Sequence, residues 1–315
     1  MTAKAAATRE ALGPTLIRLC QQGLDIVVVD ADLGGSTTAR QFGKVFPERF
    51  FAVGVAEQNM VNVAAGLAAA GKTVFISTFA VFAPGRCFDQ LRLGVAQPGL
   101  NVKLVGSHAG IITGEDGASA HGIDDLSLTL SLPGFRVIVP ADVVEAEQAI
   151  EVAARNFGPF YVRCVRPKIA VIYDEGYKFR LGKAHLARPG RDVTVMAVGV
   201  MVWKALEAAE LLAAEGIDCR VLNMSSLKPL DVEAVVAAAR ETGGIVTAED
   251  HLVHGGLATL VAQTVALHQP TPMAFIGMQD EYAVSGRWDE LLERYGLTGE
   301  KIAEAARSVV ARKKG

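Results

Sequence analysis

Short runs of β-branched and other apolar residues alternate with stretches rich in alanine and leucine along nearly the whole chain. This alternation limits the possible folds most strongly, because it predicts strands separated by helices and hence a mostly parallel sheet. The strands predicted in the first half are residues 26–29, 50–53, 73–76, 102–105, 136–139 and 160–165. Few of them alternate polar with apolar residues, which is typical of strands covered on both faces. We therefore expect an α/β fold with a doubly wound sheet.

The segment 167–191 interrupts this pattern, since it is rich in charge, glycine and proline and has no long helical period. We place a domain boundary there and predict a larger unit, residues 1–180, followed by a smaller α/β unit, residues 190–315. The predicted helices of the larger unit are 58–70, 87–95 and 143–156. The smaller unit is predicted to contain strands 193–198, 219–224, 245–248 and 273–276, helices 203–214 and 256–267, and two terminal helices.

Composition excludes several classes of function. The chain has 315 residues and a net charge of −3, which provides no electrostatic surface for nucleic acid or an anionic membrane. Its four cysteines are scattered without a CxxC pair, so they predict neither a metal site nor a redox motif. The first residues lack the apolar stretch of a signal peptide, and the apolar runs are too short to span a bilayer. We expect a cytoplasmic protein.

Polar and aromatic side chains follow the predicted strands at the edge where ligands bind to parallel sheets. The segments are DADLGGST, GVAEQNM, STFAVF and GSHAGIITGEDGASAHG. Each residue also has an ordinary structural interpretation: Glu57 as an acid in the first turn of a helix, Phe79 and Phe82 as core residues, and Ser36 as a helix cap. Their joint placement favours a functional site.

Several common catalytic motifs are absent from the sequence. It has no G-x-G-x-x-G after a strand, no G-x-x-x-x-G-K-[ST], no H-E-x-x-H and no G-x-S-x-G. Hydride transfer, P-loop hydrolysis, zinc hydrolysis and nucleophile-elbow chemistry therefore lack their expected signatures.

The ordered set of segments resembles transketolases, members of the thiamine-diphosphate-dependent superfamily. The segments DADLGGST, GVAEQNMVNVAAGLA, STFAVF, GSHAGIITGEDG and VIVPAD resemble the pyrimidine-binding domain, and VLNMSSLKPLD, TAEDHLVHGGLA and ELLERYGLTGEKI resemble the C-terminal domain. The resemblance covers residues 8–311. It implies a subunit that transfers a two-carbon ketol unit between ketose and aldose phosphates.

The resemblance also implies a partner. Transketolases hold the cofactor diphosphate and Mg²⁺ through a GDG…N motif in a preceding domain, and this sequence has no GDG. We therefore expect the small subunit of a split transketolase, with an N-terminal partner subunit that holds Mg²⁺ and the diphosphate in an α2β2 heterotetramer. No metal ligands are expected on this chain, which by itself is expected to form homodimers.

Five residues match family positions at the cofactor. Glu57 matches the carboxylic acid beside N1′ of the aminopyrimidine, which assists removal of the thiazolium C2 proton. Phe79 and Phe82 match the aromatic wall behind that ring. Asp32 and Leu33 lie in a segment that approaches the cofactor and the donor sugar.

Other positions match substrate contacts. Arg9, Ser36, His108 and Arg166 match the residues that bind the sugar phosphate, and Asp116 matches the one that recognises a sugar hydroxyl. The sequence departs from the family at Ala120, where transketolases have a histidine that contacts the donor. His121 follows immediately and matches the second histidine of deoxyxylulose-phosphate synthases. Either a loop shift lets His121 act catalytically, or that contact is missing.

Three alternatives remain at this point. The β subunit of a 2-oxo-acid dehydrogenase E1 component has a similar length and domain order but generally lacks GEDG and the phosphate-binding set. A fragment of a deoxyxylulose-phosphate synthase is a second alternative. A non-catalytic module that kept the fold is the third, because fold alone does not establish activity.

Overall fold

The computed structural model describes residues 4–313, which form two larger sheets and a two-stranded ribbon. The strands, in chain order, are β1 (Ala5–Ala6), β2 (Ile26–Asp30), β3 (Phe50–Ala52), β4 (Thr73–Phe79), β5 (Val102–Ser107), β6 (Arg136–Ile138), β7 (Phe160–Arg163), β8 (Ile169–Ala170), β9 (His185–Arg188), β10 (Val193–Ala197), β11 (Cys219–Asn223), β12 (Ser226–Lys228), β13 (Ile245–Leu252) and β14 (Met273–Met278). β1 and β8 make the ribbon.

Helices connect these strands. They are α1 (Leu12–Gln21), α2 (Gly34–Thr37), α3 (Arg40–Val45), α4 (Glu57–Ala69), α5 (Phe88–Gln90), α6 (Asp125–Ser131), α7 (Val143–Arg155), α8 (Met201–Ala214), α9 (Val232–Thr242), α10 (Leu257–His268), α11 (Trp288–Arg294) and α12 (Gly299–Lys313). Short 3₁₀ helices occupy Thr8–Ala11, Pro47–Arg49 and Ile111–Asp116, and a π-helix occupies Leu91–Ala96.

The first sheet has the strand order β12-β6-β7-β5-β4-β2-β3, and its neighbours run parallel except for the antiparallel pair β12–β6. Every residue of β2, β5 and β7 is buried, because helices cover both faces of the sheet. Helix α4 contributes Met60, Val61, Ala64 and Ala68, whose spacing places them on one helical face.

The second sheet has the order β14-β13-β10-β11-β9, with β9 antiparallel to β11. The two sheets are joined by strand pairing and by a shared hydrophobic core, in addition to the connecting segment. Strand β12, which lies between strands of the second half in sequence, pairs with β6 of the first sheet. Met224, Leu227 and Leu257 share one hydrophobic core with Met60 and Leu104.

A buried ion pair of the first half also contacts the second half. The guanidinium of Arg163 donates to Asp125 at 2.8 and 3.1 Å and to the carbonyl of Asp250 at 2.9 Å. Because Arg163 and Asp125 are both buried, removal of either partner would leave an uncompensated charge. Arg163 thus contacts both halves and does not line the cavity described below.

The predicted α/β fold class is confirmed, with mostly parallel sheets in two successive units. The predicted strand at 136–139 ends at Ile138, and the predicted helix at 87–95 consists of α5 followed by the π-helix. The sequence patterns did not predict α1, α6, α9 or β12. No helix within residues 4–313 is long and apolar enough to cross a membrane.

Candidate functional site

The candidate residues lie where β2, β4 and β5 end, on neighbouring parallel strands. Asp32 follows β2, Phe79 is the last residue of β4, and His108 follows β5. Glu57 begins α4, shortly after the edge strand β3. The topology therefore brings four sequence-predicted segments to one edge of the first sheet.

Glu57 is a buried carboxylate, 2% exposed, at the first residue of α4. Both of its oxygens accept hydrogen bonds from one nitrogen, Nη1 of Arg86, at 2.9 Å each. The Arg86 side chain is 49% exposed, so the pair connects a buried acid to the surface. A buried carboxylate needs such a partner, because an unpaired charge at low dielectric is costly.

Beside this pair, aromatic rings form a flat wall. The rings of Phe79 and Phe82 lie 5.6 Å apart at an interplanar angle of 14°. The guanidinium carbon of Arg86 lies 4.6 Å from the centroid of Phe82, a cation–π distance. At the other end, Phe79 stacks on the imidazole of His108 with centroids 3.7 Å apart. One row of planar groups therefore runs from Arg86 to His108.

His108 has a left-handed backbone (φ 55°), and its carbonyl accepts a hydrogen bond from the Thr113 hydroxyl at 2.7 Å. Burial, with the charges of Arg9 and Arg166, lowers the pKa of His108 to about 3, so the imidazole is neutral at physiological pH. Arg9 lies 3.4 Å from Nε2 and can only donate. The proton therefore resides on Nδ1, which lies 2.7 Å from the Ser107 hydroxyl.

Arg9 connects His108 with the segment after β2. Its Nη1 donates to the carbonyl oxygen of Ser36 at 2.7 Å, so Ser36 contacts the cluster through its backbone. Burial, reinforced by Arg166, lowers the pKa of Arg9. Within the part of the chain that the structure describes, the buried Nε of Arg9 has no hydrogen-bond partner. The Arg9 guanidinium therefore keeps one unused N–H donor.

A cavity of about 340 Å³ opens beside Arg9. Its other lining residues are Ile112, Thr113, Glu115, Arg166, Pro167, Lys168 and Trp288. Arg166 donates to the Thr113 carbonyl at 2.8 Å, and its Nη1 lies 3.4 Å from an oxygen of Asp116. The cavity thus presents two guanidiniums, an ammonium and the carboxylate of Glu115, which lies 3.5 Å from Arg166. The half-exposed carboxylate of Asp116 lies beside it.

Asp32 and Leu33 form the turn between β2 and α2, where Asp32 has φ 66°. The buried carboxylate of Asp30 lies beside this turn. Burial raises the pKa of Asp30, and the nearby backbone N–H groups of residues 32, 33 and 34 act in the opposite direction. A Cβ at Gly34 would lie 3.1 Å from a carboxylate oxygen of Asp30, which is a tight contact.

His121 is 3% exposed, and its Nε2 lies 3.0 Å from the carbonyl oxygen of Gly114 in the GEDG turn. This contact puts the proton on Nε2. Over residues 4–313, Nδ1 of His121 has no partner. Ala120 is also buried, at 7% exposure. His121 therefore lies beneath the GEDG turn and does not line the cavity beside Arg9.

Two observations concern the side chains that could bind a metal ion. Among residues 4–313, no group of three or more His, Cys, Asp or Glu side chains is placed to hold a metal ion. The four cysteines are buried and unpaired within that range.

Three contacts were missed by sequence reasoning. Arg86 approaches Glu57 from 29 residues further along the chain, Lys168 adds a cation to the cavity, and Trp288 lines the cavity from the second half of the chain. Arg86 and Lys168 could have been found as basic residues next to predicted site segments. No sequence signal connects Trp288 to the cavity.

Two family comparisons cover most of the chain. Residues 4–170 match the pyrimidine-binding domain of transketolase, and residues 182–302 match the transketolase C-terminal domain. These matches define a protein of the thiamine-diphosphate superfamily with the two domains that the resemblance predicts.

Individual relatives also belong to the transketolase family. The chain is 42% identical to a 6-deoxy-6-sulfo-D-fructose transketolase subunit of Clostridium sp. (strain MSTE9), covering 95% of this chain and 92% of the relative. It is 38% identical to one of the subunits of an apulose-4-phosphate transketolase of Phocaeicola vulgatus, over 95% and 96% of the two chains. A solved split-gene transketolase, described as an inactive β4 tetramer, superposes with a TM-score of 0.90 at 44% identity, covering 98% of this chain and all of that one.

The chain belongs to the transketolase family and carries its pyrimidine-binding and C-terminal domains. Transketolases depend on thiamine diphosphate, and the residues present fit the aminopyrimidine half of that cofactor. A flat ring needs a flat apolar wall, and its N1′ nitrogen needs a buried carboxylic acid. The guanidinium of Arg86, itself a planar N–C–N group, already lies against both Phe82 and Glu57.

Proposed function

We propose that this chain is one subunit of a thiamine-diphosphate-dependent transketolase, which moves a two-carbon ketol unit between ketose and aldose phosphates. The contact that carries the proposal is the stack of Phe79 on His108 at 3.7 Å. It connects the wall beside Glu57 to the cationic cavity beside Arg9. A ring site and a phosphate site joined in this way suit a reaction between a cofactor and a sugar phosphate.

At the cofactor end, Glu57 would share a proton with the aminopyrimidine, and Phe79 and Phe82 would support the ring. Burial of Glu57 would keep water away from that proton. Asp32 and Leu33 would line the approach to the cofactor. When bound, the cofactor supplies the carbon nucleophile and the electron sink.

At the substrate end, Arg9, Arg166 and Ser36 would bind the phosphate. Guanidiniums suit this role because they donate several fixed hydrogen bonds to phosphate oxygens. Neutral His108 would take part by positioning the guanidinium of Arg9, which faces its Nε2. Asp116 would accept a hydrogen bond from a sugar hydroxyl. His121 would act catalytically only after the GEDG turn moves, since it is buried beneath Gly114.

We further propose an N-terminal partner subunit that holds the diphosphate and Mg²⁺, in an α2β2 assembly. The relatives are named as subunits, and a β4 assembly of the similar split-gene protein is described as inactive. Apolar side chains near Glu57 are exposed and available for such a partner: Val55 is 73% exposed and Phe51 40%. The organisation into units 1–180 and 190–315 remains part of the proposal.

The test is ketol transfer from xylulose 5-phosphate to ribose 5-phosphate by the chain co-purified with its partner, with thiamine diphosphate and Mg²⁺. We expect turnover that requires the cofactor, and none with a 2-oxo acid as the donor. Turnover with the 2-oxo acid alone would instead support the E1-component alternative. A verified complex that binds cofactor but turns over neither donor would contradict the proposal.

A further inference from the structure

The two groups assigned to the aminopyrimidine are already occupied by one side chain of the same protein. Arg86 donates to both oxygens of Glu57 at 2.9 Å, and its guanidinium lies over Phe82 at 4.6 Å. A guanidinium is planar and presents N–H groups along an N–C–N edge. It therefore occupies the same carboxylate and the same ring face that the aminopyrimidine would use, although it donates to Glu57 through Nη1, whereas N1′ would accept from Glu57.

We propose that Arg86 sets the cofactor affinity of this site by competing with the aminopyrimidine for Glu57 and for the face of Phe82. This inference rests on the proposed function. Both ligands need the same carboxylate and the same ring, so the cofactor binds only as the guanidinium leaves. The measured affinity is then the intrinsic affinity reduced by the free energy of the Arg86 contacts.

The surroundings of Arg86 permit this exchange. Its backbone is fixed, because its N–H donates to the Phe82 carbonyl at 3.0 Å and its own carbonyl accepts from the Gln58 amide at 3.2 Å. Its side chain is 49% exposed, whereas Glu57 is 2% exposed. The guanidinium can therefore turn into water while the backbone and Glu57 stay in place.

The test measures the Kd of thiamine diphosphate at fixed Mg²⁺, by calorimetry, for the chain in complex with its partner subunit. Arg86→Met keeps the length of the side chain and removes its charge. We expect it to lower the Kd about fivefold, the change expected for a half-exposed ion pair. Arg92→Met, six residues after Arg86, is the matched control. Arg92 is 53% exposed and pairs with Asp89 at 2.9 Å.

A double-mutant cycle separates competition from a structural effect. In a Glu57→Gln background Arg86 no longer has a carboxylate to pair with, so Arg86→Met should change the Kd by less than about twofold. Arg86→Lys keeps the charge without the planar fork and should bind the cofactor with an intermediate Kd. It also serves as the test variant if the methionine variant fails to fold.

The outcomes are distinguishable. If the wild-type complex binds cofactor, Glu57→Gln weakens binding, and Arg86→Met leaves it unchanged or weaker, the competition is refuted and the proposed function stands. If the wild-type complex does not bind thiamine diphosphate, both are refuted. A tighter Kd for Arg86→Met that persists in the Glu57→Gln background also overturns the competition.

Discussion

At the scale of single residues, the assignment depends most on Glu57, because it is a buried carboxylate beside a flat aromatic wall. We expect Glu57→Ala to lower kcat of the assembled enzyme by at least about 100-fold, since a positioned proton donor contributes that much. The fold should persist, because Arg86 is half exposed and can be hydrated.

The matched control for this change is Glu48→Ala, which removes an acid that is 66% exposed and paired with Arg49 at 3.6 Å. It should leave kcat unchanged. Near-normal turnover by Glu57→Ala, with a native circular dichroism spectrum, would exclude the role given to this carboxylate.

Arg166 gives a second prediction, because it lines the cavity and donates to the Thr113 carbonyl. Arg166→Met should lower kcat/KM for sugar phosphates roughly 10- to 100-fold, mostly through KM, since charge-assisted hydrogen bonds to a phosphate are lost. Steady-state kinetics measure this. Arg18→Met, at an exposed arginine paired with Glu151 at 2.8 Å, is the control and should change neither constant. An equal effect of both variants would argue against a phosphate site here.

His108 gives a prediction on pH. Its pKa is lowered from 6.5 to about 3 by burial and by Arg9 and Arg166. Below pH 6.5 the unfolded chain binds a proton on this side chain that the folded chain does not. Its contribution to stability is therefore present above pH 6.5 and is lost as the pH falls toward 3, on the order of 1.4 kcal/mol per pH unit.

We therefore expect His108→Gln to lose less stability than the wild type between pH 7 and pH 4, as measured by urea unfolding. His254→Gln, at an exposed histidine, serves as the control and should follow the wild type. Parallel curves for wild type and His108→Gln would contradict the neutral, buried imidazole.

Sequence reasoning identified most of the residues that the structure brings together, because Glu57, Phe79, His108 and Arg9 lie in recognisable segments. It could not find their contacts. The pair between Arg86 and Glu57 depends on how the turn after β4 meets the start of α4. Likewise, no pattern within one segment indicates that Ser36 meets Arg9 through its carbonyl.

At the scale of elements, the contact between the loop after β5 and strand β13 joins the two halves. It can be tested at Gly110, which has φ 74°. A Cβ at this position would lie 1.8 Å from a carboxylate oxygen of Asp250, the residue whose other oxygen accepts from the Ile111 N–H at 3.0 Å. Gly99 has a similar φ of 67°, and no described atom lies within 4 Å of its Cβ position. The two positions therefore share backbone strain and differ in packing.

We expect Gly110→Ala to reduce the free energy of unfolding by about 1–3 kcal/mol more than Gly99→Ala does, because Asp250 or the loop must shift. Urea denaturation of both variants measures the difference. Equal losses would mean that the contact between β13 and the loop after β5 contributes little to stability.

The sequence predicted the type of an element where a buried strand is an unbroken apolar run, as at residues 26–29 of β2. Elements whose place depends on distant partners were not predicted. Strand β12 has three residues and crosses back to β6, so its pairing is set by tertiary contacts rather than by its own pattern. Trp288 reaches the cavity because α11 packs on the GEDG turn, an arrangement that local periodicity does not encode.

At the scale of the whole molecule, the described residues bring together a buried acid, an aromatic wall and a cavity lined by Arg9, Arg166 and Lys168. We propose that they form one half of a site. The proposal is that the other half, with the diphosphate and Mg²⁺, belongs to a partner subunit. The exposed Val55 and Phe51 close to Glu57 suit such an interface. Assembly would then also bury the approach to Glu57 and control its access to water.

The most direct test of this central claim is a titration of ketol transfer. At a fixed concentration of this chain, with excess thiamine diphosphate, Mg²⁺, xylulose 5-phosphate and ribose 5-phosphate, the rate is measured as the partner subunit is added. The account predicts no turnover without the partner and a rate that rises to a plateau at one partner per chain. Turnover by this chain alone, or none from the complete complex, would contradict it.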